Sequence, residues 1–342
     1  MLIRRPTVPD QETQSTAVQS TSPLRPIGGS NTVIATSKLC KQFKKIEALK
    51  AVSIQVRKGE IFGLLGQNGA GKTTLVKILL GITKPTFGDA QLLGVPVGVP
   101  LVRSRVGYLP EDHRFPEYHT GASLLDFYGS LVGMPPMDRL RRSHEVLEIV
   151  GLKGRMDYKI RTYSKGMKQR LGIAQAIMHN PDVIFLDEPT DGVDPVGRRE
   201  IRQLMTELKA RGTTIFLNSH LLGEVELICD RVAILQQGEL IREGTIAELT
   251  QMRGQFVVGL ADGQTLPKED LEAQGYKIRP VGTMWEFDLA DGQTIDPVVD
   301  LLRARGLGLR HLLEKRQTLE DLFVETVLAA EPGVDAPVAR QR

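Results

Sequence analysis

The sequence contains few cysteines, few aromatic residues and no long apolar run. Its 342 residues include two cysteines, Cys40 and Cys229, whose spacing matches no metal-binding motif. Both have apolar neighbours, so we expect buried free thiols in a reducing compartment. No apolar stretch approaches the roughly 18 residues that cross a bilayer, and the N-terminus has no apolar secretory core. We therefore expect a cytoplasmic protein that acts at a membrane only if another chain spans it.

The charge is also nearly balanced. The formal net charge is +3, with 25% charged and 41% hydrophobic residues, as in an ordinary soluble globular protein. So small an excess does not argue for nucleic acid as a partner, although it leaves an anionic ligand possible. The length favours two domains, one large and one small.

The pattern of elements divides the chain. Residues 1–31 are rich in Gln, Ser, Thr and Pro, which predicts a disordered N-terminal tail. Strands and helices alternate over residues 32–249, which predicts an α/β domain with a buried parallel sheet, an N-terminal antiparallel β subdomain and a helical insert at about residues 115–180. Residues 250–330 show the order βαββαβ, which predicts a small α+β, ferredoxin-like domain. We expect residues 331–342 to be a flexible tail.

One glycine-rich stretch organises the large domain. Residues 66–74, GQNGAGKTT, lie between an apolar run at 61–65 and a helical pattern at 75–80, with the GxxxxGK[ST] spacing of a phosphate-binding P-loop. Its backbone N–H groups and the helix N-terminus favour phosphate. Lys72 can reach the β- and γ-phosphates, and the Thr73 hydroxyl can bind Mg²⁺. The predicted nucleotide contacts here are Gly66, Asn68, Gly69, Gly71, Lys72, Thr73 and Thr74. The alternative is a glycine-rich turn without a ligand.

Two acids follow a second apolar run. Residues 183–186, VIFL, predict a buried parallel strand, and Asp187 and Glu188 come at its carboxyl end. From there Asp187 can hold Mg²⁺ beside Thr73, directly or through water, and Glu188 can polarise an attacking water. The alternative is a pair of solvated charges at the rim of the sheet.

With several further motifs, the chain from about residue 33 to 249 resembles the nucleotide-binding subunits of ATP-binding cassette (ABC) transporters. Phe43 falls where that family has a base-stacking aromatic residue, and Glu111 where it has a glutamine. The sequence YSKGM at 163–167 stands in for the family signature LSGGQ. Asp187 and Glu188 match the Walker B aspartate and the catalytic glutamate, Asp194 the D-loop aspartate, and His220 the switch histidine. These motifs in this order are a specific match.

The resemblance implies how such a protein works. The implied ligands are ATP and Mg²⁺, with Thr73, Asp187 and Glu111 toward the metal and Lys72, Glu188 and His220 in catalysis. Two copies would dimerise head to tail, so that Ser164 and Gly166 of one copy face the γ-phosphate bound by the other. An integral membrane permease would use this switch for transport, here as an exporter, with the ATPase peripheral on the cytoplasmic face of the membrane.

Some features depart from the family. Glu111 keeps an oxygen for Mg²⁺ but adds negative charge, and we expect activity to be retained. Tyr163, Lys165 and Met167 replace Leu, Gly and Gln of the signature, and the Lys165 ammonium would either contact phosphate or lie in solvent, the second being favoured. A lone histidine such as His220 is often structural, although its place after a strand favours function.

Two other functions compete with transport. One is a soluble ABC ATPase that acts on ribosomes or DNA; the other is a nucleotide-sensing module without turnover, against which Glu188 argues. The segment after residue 249 resembles the accessory segment of exporter ATPases and ends in QTLEDLF at 317–323. We expect it to stabilise a dimer, in preference to sensing a ligand.

Overall fold

The computed structural model describes residues 29–250, 252–290 and 292–329. The tails predicted at 1–31 and 331–342 lie outside the described residues, except for 29–31. The strands are β1 Thr32–Phe43, β2 Ile46–Val52, β3 Gln55–Arg57, β4 Ile61–Leu65, β5 Phe87–Leu92, β6 Val95–Pro96, β7 Val106–Leu109, β8 Val183–Asp187, β9 Thr214–Asn218, β10 Arg231–Gln236, β11 Glu239–Thr245, β12 Met252–Leu260, β13 Lys277–Val281, β14 Met284–Asp288 and β15 Leu309–Arg316. The helices are α1 Lys72–Leu79, α2 Gly121–Leu131, α3 Pro136–Ile149, α4 Lys165–Ile177, α5 Pro195–Ala210, α6 Leu222–Ile228, α7 Ile246–Leu249, α8 Lys268–Ala273, α9 Asp296–Ala304 and α10 Leu319–Ala329.

A six-stranded sheet in the order β11-β10-β4-β9-β8-β7 forms the centre of the molecule. Its strands pair in parallel, except that β10 and β11 form an antiparallel hairpin. Every residue of β4, β8 and β9 is buried, as expected for parallel strands covered on both faces. The predicted α/β fold with its buried parallel sheet is therefore confirmed.

A second, antiparallel sheet precedes and flanks the first. Strand β1 pairs with β2, β3 and β5, and β5 pairs with β6. Strand β1 is 12 residues long and ends at Phe43. Its second half carries polar and charged residues, and its register shifts there against both β2 and β5.

The helical insert comprises α2 and α3, which pack on each other and on α4. Ser164 is the N-cap of α4, and its Oγ accepts a hydrogen bond from the Met167 N–H at 3.2 Å. The helix begins at Lys165, and its first turn contains Gly166.

The C-terminal region forms its own antiparallel sheet. The sheet order β13-β14-β12-β15, with α8 and α9 as the crossovers, is that of a ferredoxin-like domain, and this prediction is confirmed. Its core contains Val258, Phe287 and Val298, all fully buried. The last helix, α10, does not join this core but packs on α6 and α7 of the large domain.

Two of the expectations from composition concern burial. Cys229 is buried, whereas Cys40 is only partly buried, so the prediction for Cys40 was wrong; neither forms a disulfide. Cys40 lies in β1 where the register shifts, and its Sγ accepts a hydrogen bond from the Ala51 N–H. Within the described residues, none of the helices has the length and apolar character to cross a membrane.

Candidate functional site

A cleft of about 880 Å³ lies at the carboxyl end of the central sheet. It brings together many of the residues singled out in the sequence, namely Gly66, Asn68, Gly69, Gly71, Lys72, Thr73, Thr74, Glu111, Glu188 and His220. Residues that were not predicted also line it, namely Lys45, Ile46, Glu47, Ala48, Lys50, Gln67, Asn218, Gln237 and Phe323. The ends of parallel strands meet here, which is why segments far apart in the sequence share one cavity.

The P-loop follows β4 and runs directly into α1. Gly66 has φ +154°, and a Cβ there would lie 2.4 Å from the Leu235 carbonyl oxygen; Gly71 has φ +105°, and its Cβ would lie 2.5 Å from the Ala48 carbonyl oxygen. Only glycine fits such backbone positions. Gly71 is also the N-cap of α1 and offers no side chain to the first N–H groups of the helix. These groups are available to an anion in the cleft.

Lys72 is buried at the centre of this loop, 7% exposed. Its Nζ donates hydrogen bonds to the carbonyl oxygens of Gly66 at 2.7 Å and Gln67 at 3.3 Å. Burial lowers the pKa of the Lys72 ammonium, while the nearby carboxylates of Glu188, Asp187 and Glu111 act in the opposite direction. The ammonium is thus held in a poorly solvated place, where an anionic ligand would stabilise it further.

Asp187 ends β8 and is buried, 3% exposed. Strand register places it opposite Asn218 at the end of β9, and the Asn218 Nδ2 donates a hydrogen bond to its Oδ1. Burial raises the pKa of Asp187 to about 6, and the charges of Glu111 and Glu188 contribute to the rise, which the Asn218 hydrogen bond and Lys72 oppose. The Asn218 Oδ1 is buried and has no hydrogen-bond partner among the described residues.

Glu188 is the next residue and has a left-handed backbone, with φ +50°. Its backbone is fixed by three hydrogen bonds: its N–H donates to the Asn218 carbonyl at 2.9 Å, and its carbonyl accepts from the Gln169 Nε2 at 3.1 Å and the Asp191 N–H at 3.2 Å. The side chain lies 2.8 Å from His220 Nδ1 and accepts a hydrogen bond from the Ser219 hydroxyl at 3.2 Å. A non-glycine residue in this conformation costs of order 1–3 kcal/mol, and such strain concentrates at functional sites.

The charges around the cleft fit a divalent cation. Asp187, Glu188 and Glu111 all act electrostatically on Lys72, so three carboxylates surround one ammonium. The described residues contain no cluster of three His, Cys, Asp or Glu that would form a protein-only metal cage. Mg²⁺ does not require one, because it keeps several waters and uses one or two carboxylates together with phosphate oxygens. The donor set of Asp187, Glu111 and the Thr73 hydroxyl therefore suits Mg²⁺ bound with a nucleotide.

Several predicted residues lie away from this cleft. Phe43 ends β1, 46% exposed, with the Lys41 Nζ 4.7 Å from its ring centroid, and it does not line the cavity. Ser164 is exposed at the start of α4, with Gly166 in its first turn. Asp194 caps α5, where its Oδ1 accepts from the Gly197 N–H at 2.9 Å and the hydrogen bond lowers its pKa. The Lys165 Nζ pairs with Asp191 at 3.1 Å on the surface.

Three of the residues that the sequence analysis missed differ in how far the sequence signals them. Asn218 has a readable signal, since a polar residue ends the apolar strand β9 as Asp187 ends β8. Gln169, buried within α4, has none, because only the fold brings its amide to the Glu188 carbonyl. Phe323 has none either, since it reaches the cleft from the C-terminal helix.

Comparisons with known proteins agree with this geometry. A family model described as ABC transporter matches residues 49–191. The ABC transporter ATP-binding protein all4389 of Nostoc sp. is 48% identical over 310 residues, which cover 86% of this chain and 90% of that protein. The bacitracin transport ATP-binding protein BcrA of Enterococcus faecalis is 34% identical over 307 residues, or 86% of this chain and 96% of that protein. The structure of cbiO1 from Clostridium perfringens, part of the ABC transporter complex cbiONQ, has a TM-score of 0.60 and 28% identity, covering 64% of this chain and 90% of that chain. The chain therefore belongs to the ATP-binding proteins of ABC transporters.

Proposed function

We propose that this protein hydrolyses ATP, as a dimer around two Mg-ATP, to drive a separately encoded membrane permease that exports its substrate. The observation that carries the proposal is the single cleft shared by the P-loop, by Glu188 and by His220, with Asp187 buried directly behind it. Phosphate-binding N–H groups, an ammonium and a candidate base thereby face one space.

Each residue has a role that its surroundings support. Lys72 and the N-terminus of α1 bind the β- and γ-phosphates, and Thr73, Asp187 and Glu111 hold Mg²⁺. When bound, Mg²⁺ neutralises phosphate charge. Glu188 orients and deprotonates the attacking water, a contribution worth about 10²–10⁴ in rate. His220, whose Nδ1 lies 2.8 Å from Glu188 Oε1, positions that carboxylate.

Dimerisation is supported by the position of Ser164 and Gly166, which lie outside the cleft of their own copy. Ser164 and Gly166 do not line it, yet they lie at the exposed N-terminus of a 13-residue helix whose dipole favours an anion. A second copy placed head to tail would bring that terminus to the γ-phosphate. We propose that the ATP site is complete only in such a dimer.

A permease partner is supported by the exposed apolar side chains of the helical insert. Phe127 and Leu131 of α2 and Met137 and Leu140 of α3 are 48%, 64%, 76% and 56% exposed. Where exposed apolar side chains form a contiguous patch, they are typical of a protein-interaction surface. The relative BcrA is named a bacitracin transport protein, which favours transport over action on ribosomes or DNA. The formal charge of +3 is too small to argue for nucleic acid as a partner.

We propose residues 32–249 as the cassette, with its helical subdomain at about 115–180, and residues 250–330 as an accessory domain. The protein would lie in the cytoplasm, held at the membrane face by its permease.

Phosphate release from Mg-ATP and co-purification test the proposal. Purified protein should release phosphate, and Glu188→Gln should abolish the release. Absence of any release, even with membranes added, would favour a nucleotide-sensing module without turnover.

Detergent extracts should yield the chain with an integral membrane protein. Recovery with ribosomes and without a membrane protein would contradict the transport role. Met137→Glu should weaken the membrane complex, whereas Val281→Glu, at an exposed position of the C-terminal sheet, should not.

A further inference from the structure

The last helix of the chain reaches the nucleotide cleft. Phe323 of α10 lines the same cavity as Lys72, Glu188 and His220, although the sequence places it in the C-terminal region. It is partly buried and packs against the main hydrophobic core, and not against the core of the ferredoxin-like domain. An aromatic side chain from the accessory region thus forms part of a cavity otherwise built by the cassette.

Several contacts hold α10 in this place. Leu319 and Leu322 are 0% and 4% exposed in the core that they share with the central sheet. The Leu319 N–H donates a hydrogen bond to the Glu226 Oε2 of α6 at 2.9 Å. The helix start is fixed by reciprocal bonds between Thr318 and Asp321, with the Asp321 carboxylate accepting from the Thr318 N–H at 3.0 Å and the Thr318 hydroxyl accepting from the Asp321 N–H at 3.1 Å.

The helix on which α10 packs belongs to the catalytic region. α6 begins at Leu222, two residues after His220, and Leu222 packs against the same core as Phe323. His220 Nδ1 in turn lies 2.8 Å from Glu188 Oε1. Displacement of α10 would therefore remove one wall of the cleft and also a support of the segment that carries His220.

The strand before α10 joins it to the accessory domain. Arg316 of β15 donates hydrogen bonds to Thr250, from Nε to the carbonyl oxygen at 3.1 Å and from Nη2 to Oγ1 at 2.6 Å. Thr250 follows α7 of the cassette, so β15 is attached to the cassette immediately before α10 begins. The position of α10 is thus connected to the position of the accessory sheet.

We propose that Phe323 is a nucleotide-site residue, through which nucleotide binding and the docking of α10 stabilise each other. The inference rests on the proposed function, because it takes the ligand of the cleft to be a nucleoside triphosphate. The ring supplies an apolar wall that excludes water from one side of the ligand. Since coupling between two equilibria is reciprocal, bound nucleotide must hold α10 as strongly as α10 holds nucleotide.

Binding of Mg-AMP-PNP to the full-length chain, measured by calorimetry, tests whether Phe323 stabilises the bound nucleotide. Phe323→Ala should raise the Kd by about 3- to 30-fold, the range expected when a contacting aromatic residue is truncated. Val324→Ala is the matched control, since Val324 is the next residue of α10, is 49% exposed and does not line the cleft; its Kd should stay within about twofold of the unmodified value.

Hydrogen exchange tests, without any variant, whether bound nucleotide stabilises the docking of α10. Exchange of the amides at 319–326 should slow when Mg-AMP-PNP is added to the unmodified chain. Unchanged exchange there, or a Kd of Phe323→Ala equal to that of the control, would overturn the inference.

The same calorimetric measurement on Lys72→Ala distinguishes a failure of the proposed nucleotide site from a failure of the inference about α10. If Lys72→Ala loses binding while Phe323→Ala retains it, only the inference about α10 fails. If Lys72→Ala binds normally, the proposed nucleotide site itself is wrong. Should Phe323→Ala fail to fold, the exchange measurement still decides.

Discussion

The buried carboxylate of Asp187 lowers the stability of the ligand-free protein, and a single substitution should remove this destabilisation. Burial raises its pKa from 3.8 to about 6, and Glu111 and Glu188 add to the rise. That difference corresponds to about 3 kcal/mol, since each tenfold change in an ionisation equilibrium is worth about 1.36 kcal/mol. Asp187→Asn keeps an oxygen that can accept the Asn218 hydrogen bond but has no charge to bury. We therefore expect this substitution to increase the free energy of unfolding of the ligand-free protein by up to about 3 kcal/mol at pH 8.

The pH dependence of this gain follows from the direction of the shift. Because the folded-state pKa is the higher one, the unfolded chain releases the proton first as pH rises, and the native state becomes less stable between about pH 4 and pH 6. The gain from Asp187→Asn should therefore be largest above pH 6. At pH 5 it should fall to about half of its value at pH 8.

Thermal unfolding without Mg²⁺ or nucleotide, followed by circular dichroism, measures this gain. The Tm of Asp187→Asn should exceed that of the unmodified protein by a few degrees at pH 8, since about 1 kcal/mol moves the Tm of a 150–250-residue domain by about 2–4 °C. Asp182→Asn is the control, because Asp182 directly precedes β8, 37% exposed and paired with Arg105 at the surface. Mg-ATP should stabilise the unmodified protein more than the variant. A variant that is no more stable at pH 8, or whose gain is the same at pH 5, would refute the reasoning about desolvation.

Three further substitutions test separate parts of the site. Lys72→Ala should weaken ATP binding by at least about tenfold in calorimetry, since a hydrogen bond to a charged group contributes about 1.5–3 kcal/mol; unchanged affinity would remove the P-loop assignment. Glu188→Gln should bind ATP without hydrolysing it and accumulate as a dimer in size-exclusion chromatography, and normal turnover would show that another group acts as the base. Ser164→Ala removes the N-cap of α4 and should lower the free energy of unfolding by about 1 kcal/mol in urea titration, in contrast to Ser164→Asp, which retains a capping oxygen.

The parts of the fold that could be predicted are those with a local sequence pattern, such as glycine spacing or an apolar run. The glycine loop between β4 and α1 has fixed spacing, and the apolar runs of β4, β8 and β9 identify buried parallel strands. The order of elements after residue 249 was enough to predict the ferredoxin-like domain, whose sheet order the structure then shows. The boundaries of helices were predicted less accurately. The predicted helix began at Leu75, the first apolar residue of α1, whereas α1 begins at Lys72.

The sequence predicted the site residues that belong to motifs, but not the residues that hold them in place. Glu188 was predicted from its place after a buried strand. Its left-handed backbone, in contrast, is held by hydrogen bonds to the Asn218 carbonyl and from the Gln169 side chain, which arise only in the folded chain. Phe323 has no motif that points to the cleft, since α10 reaches it by packing on α6. Contacts between distant segments leave no periodicity in either segment, and they are the part that the sequence does not reveal.

The central claim is that each ATP site is built from two copies of the chain, and mixing two defective variants tests it most directly. One variant combines Lys72→Ala with Glu188→Gln and has no functional P-loop; the other combines Ser164→Arg with Glu188→Gln and has no functional signature helix. With Mg-ATP, light scattering should find each variant monomeric when it is alone. In the mixture, one site joins the intact P-loop of the second variant to the intact Ser164 of the first, and an ATP-dependent dimer should form. A mixture that stays monomeric, while Glu188→Gln alone dimerises with ATP, would contradict the claim.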